Sequence, residues 1–399
     1  MKHFLRTSIL LFILLFLCSY SQQVLAAPGT TTVNTQQEEA VETFGVEDIP
    51  LDDLKQFWDS VYDQYGGFLP ESQKGSFFDF ISGEKKFSFK EWLSGIIQFI
   101  FHELIANGKL LGTLILLTVF SVFLQSLQST FEKTSVSKVA NSIVFMVLMI
   151  IALNSFYVAV NYVTSTISQI TDFLIALVPL LLALIASSGG VLSAAFFHPM
   201  LLFLMNTSGA LIEYIVLPLL FLSTLLSIVS MLSEHYKVTQ LAGLLRTWSV
   251  GLLGIFMTVF LGVISVQGIS TAVADGIGLR TAKFLAGNFI PVIGRMFTDA
   301  ADTVIGASLL LKNTVGIAGV VMLLIMAAFP ALKILLIALV YKFAAAILQP
   351  LGAGPIIKCL DVIGKNIIYV FAALAIVSLM FFLTVTVIVA AGNVTMMVR

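Results

Sequence analysis

The sequence predicts an all-α, polytopic integral membrane protein with a small helical domain outside the bilayer, and three observations predict it. Residues 173–232 form a sixty-residue stretch with one formal charge, Glu213. About 20 apolar residues cross a hydrocarbon core, so a run three times that length must fold back within the bilayer. The chain is 58% hydrophobic and 11% charged, with a mean hydropathy of +1.02, where soluble domains carry about 25% charge. The charges are also unevenly placed: residues 27–92 hold 5 basic and 13 acidic groups, and residues 93–399 hold 14 basic and 9 acidic. An acidic outer segment thus precedes a mildly basic membrane body.

Lys2 and Arg6 precede an apolar run over residues 9–17, and small residues follow at Ala26 and Ala27. This is the order of a secretory signal, read as residues 1–26 with cleavage after Ala26; the other reading is an uncleaved anchor helix. Cys18 falls in the leader, which leaves Cys359 alone in the mature chain. Neither an internal disulfide nor a cysteine-rich metal site follows.

Residues 27–92 read as the acidic extracytoplasmic domain. Residues 28–46 are a Thr/Gln/Glu-rich spacer without a hydrophobic pattern. Leu51, Leu54, Phe57, Trp58, Val61, Tyr62 and Tyr65 then recur at helical spacing, with Asp52, Asp53, Asp59 and Asp63 between them, until Gly66 and Gly67 stop the helix. A short helix after Pro70 would bury Phe77, Phe78 and Ile81. Ser88 and Glu91 form a capping box for a third helix, which slides through Trp92, Ile96, Phe99 and Ile100 into the interface. So small a domain must lean on the membrane or on a partner.

Residues 93–399 read as a membrane domain of about 7–9 segments. Spans are expected at 110–127, 139–163, 191–206, 209–232, 249–269, 315–329 and 367–391, with a short segment at 173–186 broken at Pro179 and a tight turn at 187–190. Lys133, Lys138, Lys237 and Arg246 lie in loops expected on the cytoplasmic side. Lys333, Lys342, Lys358 and Lys365 favour a cytoplasmic stretch before the last span, which places Arg399 outside; a further crossing by 331–348 would reverse that.

A shift of 102 residues places Glu132, Val136 and Ala140 on Glu234, Val238 and Ala242, and a shift of 112 places Pro179 on Pro291 and Pro218 on Pro330. This reads as a parallel internal repeat, with Pro179, Pro218, Pro291 and Pro330 as helix-break positions in re-entrant pairs. The alternative is chance likeness among apolar segments.

Arg280, Lys283, Arg295, Asp299 and Asp302 surround Pro291 and are the candidate pore or partner-contact residues, because charge at membrane depth must be paired or hydrated. Two readings stand, an amphipathic hairpin on the outer surface or the lining of a cavity or pore. His198 and Glu213 could pair as a proton relay, although a histidine on an apolar helix is more often simply hydrogen-bonded. His102 and Glu103 precede a span and read as interfacial. Gly251 and Gly254, Gly316 and Gly319, and Gly352 and Gly354 would allow close backbone approach. The chain contains no HExxH, no GxSxG and no GxxxxGK[ST]. No catalytic residue, metal or cofactor is therefore assigned, and nucleotide hydrolysis is left to a partner.

Residues 65–76 (YGGFLPESQKGS), 102–118 (HELIANGKLLGTLILLT), 193–209 (SAAFFHPMLLFLMNTSG), 236–242 (YKVTQLA), 280–300 (RTAKFLAGNFIPVIGRMFTDA) and 344–357 (AAAILQPLGAGPII) resemble the stage III sporulation protein AE family of endospore-forming bacteria. The likeness runs from about residue 51 to the C-terminus. It implies a multi-pass protein of the mother-cell membrane, in a channel complex that joins mother cell to engulfed forespore and sustains the forespore. The partners it implies are the other stage III proteins of the operon, including a secretion-type ATPase and ring-forming proteins, and stage II sporulation protein Q across the intermembrane space. Membrane lipid is the remaining partner, and no nucleic acid is expected. With that resemblance, the first expectation is a non-enzymatic, polytopic component of a sporulation channel or secretion machine. The second is an ion-coupled secondary transporter or permease, and the third a scaffold that anchors the outer domain.

Overall fold

The computed structural model describes residues 52–70, 89–130, 135–232, 237–289, 293–351 and 354–397. All fall within one unit, residues 46–399, and every regular element among them is helical. In order these are α1 (Asp52–Tyr65), α2 (Phe89–Ala106), α3 (Gly108–Thr130), α4 (Ser135–Ser187) and α5 (Val191–Leu211). A π-helical turn (Ile212–Val216) leads into α6 (Leu217–Leu232), then α7 (Thr239–Phe289), α8 (Ile293–Leu348), a 3-10 turn (Gln349–Leu351) and α9 (Pro355–Met397).

Five helical stretches are long and apolar enough to cross a membrane: Ser142–Ser187, Val191–Met231, Thr239–Ser265, Ile305–Leu348 and Pro355–Ala390. A sixth arises if α2 and α3, bent by 41° at Asn107, are taken as one broken span. This is fewer than the seven to nine segments expected, because neighbouring segments have fused. The spans expected at 139–163 and 173–186 are one helix, α4, which also carries the polar stretch 164–172 between them. Its Thr166 and Thr171 hydroxyls donate to the carbonyls of Tyr162 and Ile167 one turn back, so these side chains are satisfied without leaving the helix. The stretches expected at 315–329 and 331–348 are likewise one helix, α8.

The tight turn at 187–190 is present. Gly189 stands at φ 96°, a conformation that favours glycine, and the Gly190 amide donates to Ile185 O at 2.9 Å.

The last helix is the hub. α9 packs against α4, α5, α6, α7 and α8. Ile363, Ile367, Val370, Leu374, Val377 and Phe381 are wholly buried, and among the described residues no large apolar side chain of α9 is exposed. A helix apolar on all sides belongs inside such a bundle. By contrast α3 and the first half of α4 present Leu116, Phe120, Phe123, Ile143, Met146 and Ile150 outward, as lipid-facing surface does.

Small residues set the closest contacts. A Cβ at Gly316 would strike the Val389 side chain on α9, and one at Gly319 would stand 2.5 Å from Leu177 Cδ2 on α4. Gly251 and Gly254 on α7 face open space instead. Serines join α6 to α7: Ser223 Oγ donates to Ala242 O at 2.6 Å, Ser249 Oγ to Val216 O at 3.1 Å, and the Val238 amide to Ser230 Oγ at 3.1 Å. Interhelical bonds of this kind contribute about 0.6 kcal/mol each within a bilayer.

Candidate functional site

Helix α1 forms because Leu54, Trp58, Val61 and Tyr65 recur at helical spacing, and all four are buried while Asp53, Lys55, Asp59 and Asp63 are exposed. Its apolar face docks on α4 and α8. Phe57 meets Phe173 edge-on at 5.6 Å, and the Tyr65 ring stacks on Phe329 at 4.6 Å with 10° between planes. The Tyr65 and Tyr162 hydroxyls share a hydrogen bond of 3.1 Å. Burial, and then that bond, push the Tyr65 hydroxyl well above the ordinary tyrosine range, so it stays protonated.

After α1 the chain is laid onto α2. The Gly66 amide donates to Tyr62 O at 2.7 Å and the Phe68 amide to Tyr65 O at 2.8 Å. The Phe68 carbonyl then lies against Gly95, where any Cβ would overlap it. The Phe68 ring packs on Phe99 at 5.2 Å and beside the His102 ring at 5.4 Å.

At this junction sits an ion pair. Lys333 Nζ of α8 lies 3.2 Å from Glu103 Oε1 of α2, with side chains 36% and 10% exposed. Asn107 Nδ2, at the bend between α2 and α3, donates to Glu103 O at 2.8 Å and to Glu103 Oε2 at 3.2 Å. The same ammonium stands 5.1 Å above the Tyr162 ring. Four helices therefore meet on one carboxylate, one ammonium and two phenols. Beside them, a cavity of about 240 Å³ is lined by the amides of Gln56, Gln64 and Gln169 with Phe57, Tyr65 and Met326.

A second charge lies deeper in the bundle. Lys312 of α8 is wholly buried and its Nζ donates to Val389 O at 3.0 Å. Val389 is also the residue that Gly316 makes room for, one turn further along α8.

The residues singled out in the sequence fall elsewhere. Arg280 and Lys283 lie near the end of α7, and Arg295, Asp299 and Asp302 on the first turns of α8. Their side chains, and Pro291 between the two helices, lie outside the described residues. Pro179 and Pro330 sit inside continuous helices. Each costs its helix one amide donor without ending it, because neighbouring helices hold both sides in place. Pro218 follows the π-helical turn, whose extra residue absorbs the mismatch a proline introduces. His198 and Glu213 lie on one unbroken helical run, 15 residues and about 22 Å apart along the axis, so they do not pair.

Glu103, Lys333 and Lys312 were passed over as site residues. Their signal was available: each is a charge between apolar segments, the situation in which a partner must be sought. Among the described residues, no three His, Cys, Asp or Glu side chains group as a metal site.

Fold and site together define a multi-pass helical membrane protein, built on a buried last helix and an ion-paired junction where helix α1 docks. The description "Stage III sporulation protein AE (spore_III_AE)" matches residues 72–392. Over 351 residues the chain is 64% identical to Stage III sporulation protein AE of Bacillus subtilis (strain 168), covering 88% of each chain. No solved structure matches. The chain belongs to the stage III sporulation protein AE family, and with it to the proteins of sporulation.

Proposed function

We propose that this chain is a non-enzymatic, multi-pass component of a sporulation channel or secretion-like complex that links mother cell and forespore and sustains the forespore after engulfment. Family membership over residues 72–392 carries the reading. The helix lengths agree with a role inside an assembly. Exposed apolar residues on the run from α5 to α6 extend from Val191 to Val229, about 57 Å along the axis against about 30 Å of hydrocarbon. One bilayer covers about half of that stripe, and partner subunits are the natural cover for the rest.

The partners in this reading are the other stage III operon proteins, a secretion-type ATPase and stage II sporulation protein Q. The absence of a phosphate loop from the sequence leaves ATP hydrolysis to the ATPase. The mother-cell membrane is the location. Lys342, Lys358 and Lys365 face the cytoplasm, and with six crossings the C-terminus lies outside. The start of α5 at Val191 and of α8 at Ile293 differ by 102 residues, as do the ends of α4 at Ser187 and α7 at Phe289. These boundaries support a parallel repeat at a shift of 102, at which Pro179 falls on Thr281 and Pro218 on Val320, so the proline pairing is not part of it.

A gene deletion in the source organism tests the proposal. Normal vegetative growth with forespores that collapse or fall silent after engulfment is the expected result; a growth defect in cells that are not sporulating would overturn it. The buried Lys312 favours a second reading, an ion-coupled transporter, since an intramembrane cation is a usual mark of an ion path. Solute uptake by vesicles holding the purified chain alone would decide for that reading.

A further inference from the structure

The end of the bundle where α8 turns into α9 carries more positive charge than its own carboxylate neutralises. From residue 334 to residue 370 the chain holds three basic side chains and one acidic one, Asp361. Asp361 Oδ1 lies 2.5 Å from Lys342 Nζ and Oδ2 lies 2.5 Å from Lys365 Nζ. An ammonium has three donors, so each lysine keeps two after meeting Asp361.

Lys358, one turn before Asp361, is exposed. Arg246 comes to the same end from α7: its guanidinium lies 5.5 Å above the Tyr369 ring, one turn beyond Lys365. Among the described residues its Nε has no hydrogen-bond partner. Two ammoniums thus meet one carboxylate, with Lys358 and Arg246 on neighbouring turns of the same end.

The cluster is held in shape. A Cβ at Gly364 would stand 3.1 Å from Lys342 Cγ and 3.2 Å from Ala338 O, so the lysine stem passes over bare α9 backbone to reach Asp361. The surface beside it is apolar. Leu335, Leu339, Phe343 and Ile347 recur every fourth residue on α8 and all are exposed, forming a stripe that runs from the turn into the span. Leu339 is three residues before Lys342 and shares its side of the helix.

An anionic headgroup above two hydrocarbon chains matches that arrangement in charge and in polarity. We propose that this end of the bundle is a binding site for an anionic phospholipid. Lys342, Lys358 and Lys365 hold the phosphodiester, Asp361 spaces two of the lysines, and Leu339 and Leu335, on the span side of Lys342, receive the start of the acyl chains. A zwitterionic lipid brings its own cation into the same cluster and is disfavoured there. The site goes beyond the role in sporulation and stands whether or not the channel reading does.

The test is thermal unfolding of the purified full-length chain in neutral detergent, titrated with dioleoylphosphatidylglycerol, dioleoylphosphatidylcholine or inorganic phosphate. Phosphatidylglycerol is expected to raise the midpoint at concentrations where the other two leave it unmoved. Lys358→Gln/Lys365→Gln is expected to need about twenty-fivefold more lipid for the same shift, at about fivefold per lysine. Lys358→Gln alone, which leaves the ion triad intact, is expected to need about fivefold more and remains readable if the double variant does not fold. Lys55→Gln, exposed on α1, is expected to respond as the wild type. An equal response to phosphatidylcholine, a shift reproduced by inorganic phosphate, or a Lys358→Gln variant that responds as the wild type overturns the proposal.

Discussion

The Glu103 carboxylate is nearly closed off from solvent, and its charge is met by one ammonium and one amide. Removing the ammonium alone strands that charge, whereas removing both charges does not. Lys333→Met should therefore lower stability by about 1–3 kcal/mol, between the cost of an exposed pair and that of a fully buried one. Glu103→Gln/Lys333→Met should lose less than the two single changes added together, read as unfolding midpoints in detergent. At Tyr65 the hydroxyl and the ring separate cleanly. Tyr65→Phe keeps the stack on Phe329 and should cost about 1 kcal/mol; Tyr65→Ala should cost about 3–5 kcal/mol and free α1 to proteolysis. The pH dependence has a definite sign. The folded state holds the Tyr65 proton more tightly than the ordinary value of 10.0, so its contribution is complete below that pH and is lost as pH rises above it. The wild-type midpoint should fall more steeply above pH 10 than that of Tyr65→Phe, and parallel curves for the two would remove Tyr65 as the cause.

Helix contacts follow from where side chains are missing. Gly316 faces Val389, a β-branched residue with little freedom to move aside, while Gly319 faces the flexible end of Leu177. Gly316→Ala should thus destabilise by about 1–3 kcal/mol, and Gly319→Ala by less, in the same unfolding assay. Equal effects would mean that α8 does not approach α9 more closely than α4. This is also the scale at which the sequence could be read best and misled most. Apolar runs, the amphipathic α1 and the Gly189 turn were all legible, because periodicity and glycine act locally. The extent of α4 and α8 was not, since Pro179 and Pro330 are breakers by propensity and only packing on both sides keeps the helix going through them. The junction was hidden for a similar reason. Glu103 and Lys333 are 230 residues apart in the chain, and no local pattern states that α2 and α8 will meet.

The whole molecule poses a problem of length. The 53-residue α4 and the 56-residue α8 measure about 80 Å and 84 Å along their axes, against about 30 Å of hydrocarbon core. No tilt in the usual range of about 0–40° closes that gap, so each must extend well past the bilayer on at least one side. The proposed topology turns the cationic end toward the cytoplasm. Arg246, Lys342, Lys358 and Lys365 are brought to one end by contacts among α7, α8 and α9, and cations retained on one side belong to the cytoplasm. In that topology the turn at Ser188, which joins the opposite ends of α4 and α5, faces outward. A cysteine in place of Ser187, exposed at that turn, in a chain whose buried Cys359 is changed to alanine, should react with a membrane-impermeant maleimide in intact protoplasts. A cysteine in place of Lys237, in the loop after α6, should react only once the membrane is opened. Labelling of the Lys237 position in intact protoplasts would invert the bundle and put the turn between α4 and α5 on the cytoplasmic side.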